Sequence, residues 1–278
     1  MHGLLAVSAL HYADFHPAER AEYHVISTHY STLALEKFRA LINDLSEDNC
    51  ETYFLFASLI YTLSLCNVAR PAAVLTTHDV SQSFQLLKGL RLIIDYKPLE
   101  QWLTNAPLGN MLRCASESLS PAPTALSPAP RASSLEPANP FHARLDKLQH
   151  LARQLPRSLE LINPQSATFL SLECLRNTHL DCRRVADIHA APHIWSWPII
   201  IPSVFLDMID SGHPIAIIIL AHFAALSWPY EHKEWASHGW SKSIMGLAER
   251  TLDEEWSEWI VWPKRSLEER VPVDAMEE

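Results

Sequence analysis

Twelve consecutive residues, Ile215–Leu226, hold a single polar side chain, His222. A helix that is apolar on every side has to be buried on every side, so the rest of the chain must surround this one. At twelve residues the run is well short of the roughly 20 that cross a bilayer, which points to a core helix and no membrane span. His213 and Pro214 precede it, and Trp235, Trp240, Trp256, Trp259 and Trp262 follow. An apolar block closed by five tryptophans reads as a buried wall with a wide aromatic closure. Such a wall encloses a hydrophobic ligand or seals a dimer.

The segments that can surround the block are helical. Leu4, Leu5, Val7, Ala9 and Leu10 give an apolar first helix that stops before Pro17. From Pro17 to Leu45, the residues Ile26, Leu33, Leu35, Phe38, Leu41, Ile42 and Leu45 set out a long amphipathic helix. Ser46 to Glu51, with Ser46 followed three residues on by Asn49, reads as the capping segment of the next helix. Phe54–Val68 is nearly apolar all round and therefore central, Val80–Tyr96 carries a stripe of Phe84, Leu87, Leu90 and Ile94, and Pro98–Leu112 makes a shorter fifth. Residues 116–140 hold six prolines among Ser and Ala, a composition that buries too little apolar surface to offset its ordering entropy. They read as a flexible loop within one domain spanning 1–278. Helices resume at Phe141–Leu155 and Ala167–Ala190, and Pro192, Pro198 and Pro202 mark a connector into the apolar block. No strand alternation interrupts this pattern, and the predicted fold class is all-α.

Composition narrows function. With 48% hydrophobic and 19% charged residues among 278, the chain has ample core. Only 6 glycines disfavour Rossmann and P-loop architectures. A net charge of −10, with Lys and Arg scattered, argues against direct nucleic-acid binding. Five cysteines without CxxC spacing suggest free, buried thiols in a reducing compartment. The first residues lack a signal-peptide pattern, so an intracellular location, nuclear or cytoplasmic, is expected.

Several of these segments carry a resemblance. Met1-His-Gly-Leu-Leu-Ala-Val-Ser-Ala-Leu-His11, Thr28–Arg39, Phe84-Gln-Leu-Leu-Lys-Gly89, Pro214–Ala224 with Trp235, Gly239-Trp240 and Ile260-Val-Trp-Pro263 span nearly the whole chain. Together they resemble the C-terminal regulatory region of fungal Zn2Cys6 transcription factors of the sterol uptake control type. The resemblance implies an all-helical, ligand-sensing and dimerising domain with a hydrophobic pocket for a sterol or terpenoid-like molecule. It also implies pairing as a homodimer or with a full-length regulator. The family reads DNA through six closely spaced cysteines, which this sequence does not contain. It is then either a fragment or a stand-alone descendant whose pocket serves secondary metabolism. In the latter case a cofactor-independent epimerase, isomerase or cyclase is the alternative.

The candidate site residues follow from these patterns. His11, His29 and His222 lie on apolar helix faces, where each is either a core histidine bonded to a carbonyl or a donor or base lining one cavity. Phe223 adjoins His222, and Trp235 and Trp240 flank Ser237-His-Gly239 as either packing or a pocket lid. Trp256, Trp259 and Trp262 recur every three residues, the spacing of a core or dimer seam. Asp14, Glu22 and Glu36 flank the N-terminal histidines, either supplementing a base or standing as solvated carboxylates. His189 and His193 stand four apart, which suits zinc on a helix, but Pro192 interrupts them and no third ligand is evident. No metal or cofactor is expected.

Overall fold

In the computed structural model, residues 1–41, 45–71, 73–104, 139–155, 163–184 and 193–276 are described. Among them the chain forms twelve α-helices and no strand. In chain order these are α1 (His2–Phe15), α2 (Arg20–Leu41), α3 (Cys50–Ala69), α4 (Thr77–Ile94), α5 (Leu99–Thr104), α6 (Pro140–Ala152), α7 (Pro164–Arg184), α8 (Ser196–Ile200), α9 (Ser203–Asp210), α10 (Pro214–Ser227), α11 (Trp240–Thr251) and α12 (Glu254–Glu269). Single 3-10 turns, Pro17–Glu19 and Trp228–Lys233, precede α2 and follow α10. The fold is all-α.

Helix α10 occupies the centre the sequence demands. Every residue from Ile215 to Ser227 is buried, enclosed by α6, α7, α9, α11 and α12. Phe84 from α4, Trp197 from α8, Phe223 from α10 and Trp240 from α11 form one aromatic knot, with the Trp197 and Phe223 rings stacked at 4.4 Å. Burying such a ring withdraws on the order of 200 Å² from water, so this knot is a large part of the folding drive. With the 3-10 turn, the apolar stretch extends over Pro214–His232. It and Cys50–Ala69 are long and apolar enough to span a bilayer by composition, a length that the Ile215–Leu226 count understates. Most of Pro214–His232 is buried inside the protein, which accounts for its apolarity.

Boundaries differ from the sequence pattern where local chemistry intervenes. Pro17 opens a 3-10 turn, so α2 begins at Arg20. Ser46 does not cap α3: the N-cap is Asn49, whose Oδ1 instead accepts from Ser46 N at 2.9 Å. Helix α4 begins earlier than predicted, because Thr76 and Asp79 form a reciprocal capping box. Asn139 caps α6 by accepting from His142 N. The proline-marked connector holds two helices, α8 and α9, since Pro202 sits just outside the first turn of α9, where its missing N–H costs nothing. Gly239, at φ 92°, turns the chain into α11, and a Cβ there would sit 3.3 Å from the Ala69 carbonyl oxygen. The proposed loop at 116–140 and the ends of the predicted Pro98–Leu112 and Ala167–Ala190 helices lie largely outside the described residues.

The C-terminal segment is fastened by polar contacts. Asp274 accepts from His179 Nε2 at 2.9 Å, and His179 Nδ1 lies 3.0 Å from His142 Nε2. The His179 bond holds the Asp274 carboxyl down at about 2, and burial pushes His142 down to about 4. Cys50, Cys66, Cys174 and Cys182 are free thiols, with burial raising Cys66 to about 11 and Cys182 to about 12.

Candidate ligand-binding groove

Helix α1 contacts its neighbours mostly through its smallest residues. Gly3, Ala6, Ala9 and Ala13 are buried together with Leu10, while Leu4, Leu5, Tyr12 and Phe15 are exposed. A Cβ on Gly3 would stand 3.3 Å from Leu59 Cδ1, so the bare backbone is what lets α1 lie close on α3. Helix α2 packs along α1, fastened by Ser27 Oγ donating to Ala6 O at 2.8 Å. It reaches α3 at its far end, where the Phe38 ring lies 4.3 Å from Phe56 and 5.4 Å from Tyr53.

Between that aromatic contact and the first turn of α2, the two helices are separated by a groove of about 1420 Å³. Ile60, Leu63, Val68 and Leu75 form its apolar floor, and Val25, Leu35, Val74 and Leu86 its rims. Ser64 and Asn67 present polar side chains from α3, and His24, Thr28 and His29 face them from α2. The groove is therefore apolar below and edged by polar side chains from both helices.

The polar edge is organised by two arginines. Arg70, the residue after α3, donates from Nη1 to the carbonyls of Trp235 and His238 at 2.8 and 2.9 Å. Its Nε lies 3.5 Å from Asp14 Oδ1, and its guanidinium stands 5.8 Å from the Trp235 ring centre. Arg20 approaches the same Asp14 oxygen only at 3.8 Å, and its side chain makes no hydrogen bond among the described residues. His24 is held below its ordinary value by burial first and by Arg20 and Arg70 next, so its imidazole is neutral near pH 7. A neutral imidazole beside unspent guanidinium donors can accept a proton or bind an acceptor group.

The sequence candidates separate into three places. His29 is exposed on the groove wall. His11 and Trp235 meet edge to face at 4.9 Å and line a neighbouring hollow of about 420 Å³ with Val7, Tyr12 and Phe15. His222, Phe223 and Trp240 are in the packed core, at 2%, 0% and 0% exposure. His222 Nδ1 bonds the Ile218 carbonyl at 2.9 Å, which is the core-histidine arrangement. The three histidines thus do not converge, because the space in front of α10 is filled by Phe84, Trp195 and Trp197 rings. Trp262 is buried against His222 and Phe141, whereas Trp256 and Trp259 are half-buried. His189 lies outside the described residues, and no cluster of three or more metal-binding side chains occurs among those described.

Sequence reasoning passed over His24, Ser64, Asn67 and Arg70. The available signal was Arg70-Pro71: a charged residue ending an apolar helix, placed by the proline at a helix exit. A third hollow, about 320 Å³, lies on the other side of the Pro71–Leu75 loop against Lys242, Ser243 and Arg250. No family model, curated protein or solved structure matches the chain.

Proposed function

We propose that the protein is a binding module for an elongated hydrophobic small molecule of sterol or terpenoid type, held between α2 and the α3–α4 pair. The observation that carries this reading is the groove of about 1420 Å³ with an apolar floor and a limited set of polar side chains around it, Arg20, His24 and Arg70 among them. Ligand sites generally combine a mostly apolar lining with a few convergent polar groups. Resemblance to the regulatory region of sterol-responsive fungal transcription factors supports the same reading, with ligand occupancy as the signal and DNA contact left to another chain or segment. The moving part is α2, which packs on α1 and meets α3 mainly through Phe38. A ligand shifts its position only by binding one placement better than another.

The test is titration with Nile red, an elongated neutral fluorophore, against the wild type and against Ser64→Trp and Val25→Trp. Both positions line the groove away from the core, so the variants fold and obstruct it. Binding to the wild type and its loss in both variants is expected; equal binding to all three refutes the reading.

A second reading, a cofactor-independent isomerase or epimerase, is favoured by one observation, the neutral His24 on the groove wall. Its imidazole has the basicity to take a proton from a C–H made acidic by a carbonyl. Incubation of the protein with terpenoid ketones in D2O, followed by mass spectrometry, decides it. Deuterium incorporation that disappears in His24→Gln supports catalysis, and none in the wild type removes it.

A further inference from the structure

The polar edge of the groove contains more information than an alcohol-binding site needs. Its lining cations are Arg20 and Arg70, and these two share one carboxylate, Asp14. Arg70 is committed to two backbone carbonyls and the Trp235 face, so its position is fixed and it serves as a standing charge. Arg20 is different: half-exposed, 3.8 Å from its one carboxylate partner, with its N–H fork unspent. A guanidinium offers five donors and no acceptor, and its planar fork matches a carboxylate in two parallel bonds. A hydroxyl or ketone would satisfy one of them. Two guanidinium groups share one carboxylate here, a local excess of one positive charge in a protein whose net charge is −10. The acidic groups facing this region limit how much negative charge it accepts. Asp14 lies beside both arginines, and Asp79 lies on the α4 wall, where its carboxylate is occupied with Thr76 N and Oγ1. One negative charge complements the mouth, and a polyanion meets repulsion.

We infer that the groove's ligand is a monoanionic amphiphile, a terpenoid or fatty acid whose carboxylate is bound at the mouth by Arg20. Asn67, whose side chain makes no hydrogen bond among the described residues, lies one helical turn before Arg70 on the same wall and donates its amide beside the guanidinium. The hydrocarbon body runs along Ile60 and Leu63 toward Leu35. This inference rests on the groove being a ligand site, as proposed above, and adds the chemistry of the headgroup.

The experiment compares cis-parinaric acid with its methyl ester, two fluorophores with the same chain and different heads, by titration below their aggregation limits. Energy transfer from the tryptophans reports binding. The acid is expected to bind about tenfold or more tightly than the ester, since a charge-assisted pair is worth roughly 1.5–3 kcal/mol. Arg20→Gln, at an exposed position, should bring the acid down to the ester's affinity and leave the ester unchanged. An ester that binds as well as the acid overturns the headgroup inference and leaves the groove reading standing. Tight acid binding that survives Arg20→Gln overturns the assignment to Arg20. If neither probe binds, both the headgroup inference and the groove reading fall.

Discussion

Protonating His222 places a positive charge in the middle of the protein. The ring is 2% exposed, bonded through Nδ1 to the Ile218 carbonyl, and stacked on Trp262 at 5.9 Å with 15° between planes. Burial pushes its pKa down to about 4, and the Arg144 guanidinium, 5.6 Å from the same Trp262 ring, adds to the lowering. In the unfolded chain the imidazole returns to about 6.5. Between those values the unfolded state binds more protons than the folded one. Stability is therefore whole above pH 6.5 and drains as pH falls through the window from 6.5 to 4. Integrated from pH 7 to pH 5, the loss from this one residue is about 2 kcal/mol, or roughly 4 °C in melting temperature. His222→Phe keeps a flat ring against Trp262 and removes the proton. At pH 7 the variant should lie within about 1.5 kcal/mol of wild type, as for other shape-conserving core changes. From pH 7 to pH 5 it should then lose about 2 kcal/mol less than wild type. Urea denaturation followed by tryptophan fluorescence at pH 7, 6 and 5 measures both slopes. His142, also pushed to about 4, goes on titrating in the variant, so the variant's curve is shallower and not flat. Parallel curves for the two proteins would refute the reasoning, because they would mean that His222 is no more protonated in the unfolded chain than in the folded one.

Two further outcomes concern the frame around the groove. Trp240→Ala should cost about 3–5 kcal/mol in chemical denaturation, because it opens a cavity among Phe84, Trp195 and Phe223, while the Nile red affinity of the still-folded fraction stays at the wild-type value. Glu231→Gln should cost about 1–3 kcal/mol. The Glu231 carboxylate is 8% exposed, accepts from the Gly239 and Ser241 backbone N–H groups and the Ser241 hydroxyl at the start of α11, and an amide offers one acceptor where two are used. A melting temperature equal to wild type in this variant would show that the carboxylate is dispensable there.

The reach of the sequence follows from where the physics is local. The apolar run around His222 has only one stable environment, so its central burial was legible, as were the period of α2 and the apolar character of α3. The side on which α1 would be buried was not. Of its apolar residues Leu4, Leu5, Val7, Ala9 and Leu10, Ala9 and Leu10 are buried and Leu4 and Leu5 are exposed, and α1 packs largely by Gly3, Ala6, Ala9 and Ala13, where small size lets backbones approach. That choice is made by the shape of α2 and α3, and periodicity does not contain it. For the same reason His11 and His29 read as core positions and stand exposed. The groove itself exists because two helices are held apart, and a separation has no signature in either helix. Arg70 shows the difference most sharply: its position at a helix end was readable, and the carbonyls it bonds lie more than 160 residues away.

Those partners carry a consequence of their own. One guanidinium fastens the end of α3 to the backbone of Trp235 and His238, the segment through which the chain passes from its central helix into α11. The tie holds beside a negative charge, since Asp14 Oδ1 stands 3.5 Å from the same guanidinium while both carbonyls stay bonded. With Ser243 Oγ donating to the Ala69 carbonyl at 2.7 Å, that guanidinium ties the groove-lining end of α3 to the layer that encloses α10. Arg70→Lys would keep the charge beside Asp14 and lose the fork that reaches both carbonyls, separating the electrostatic part of this tie from the mechanical part.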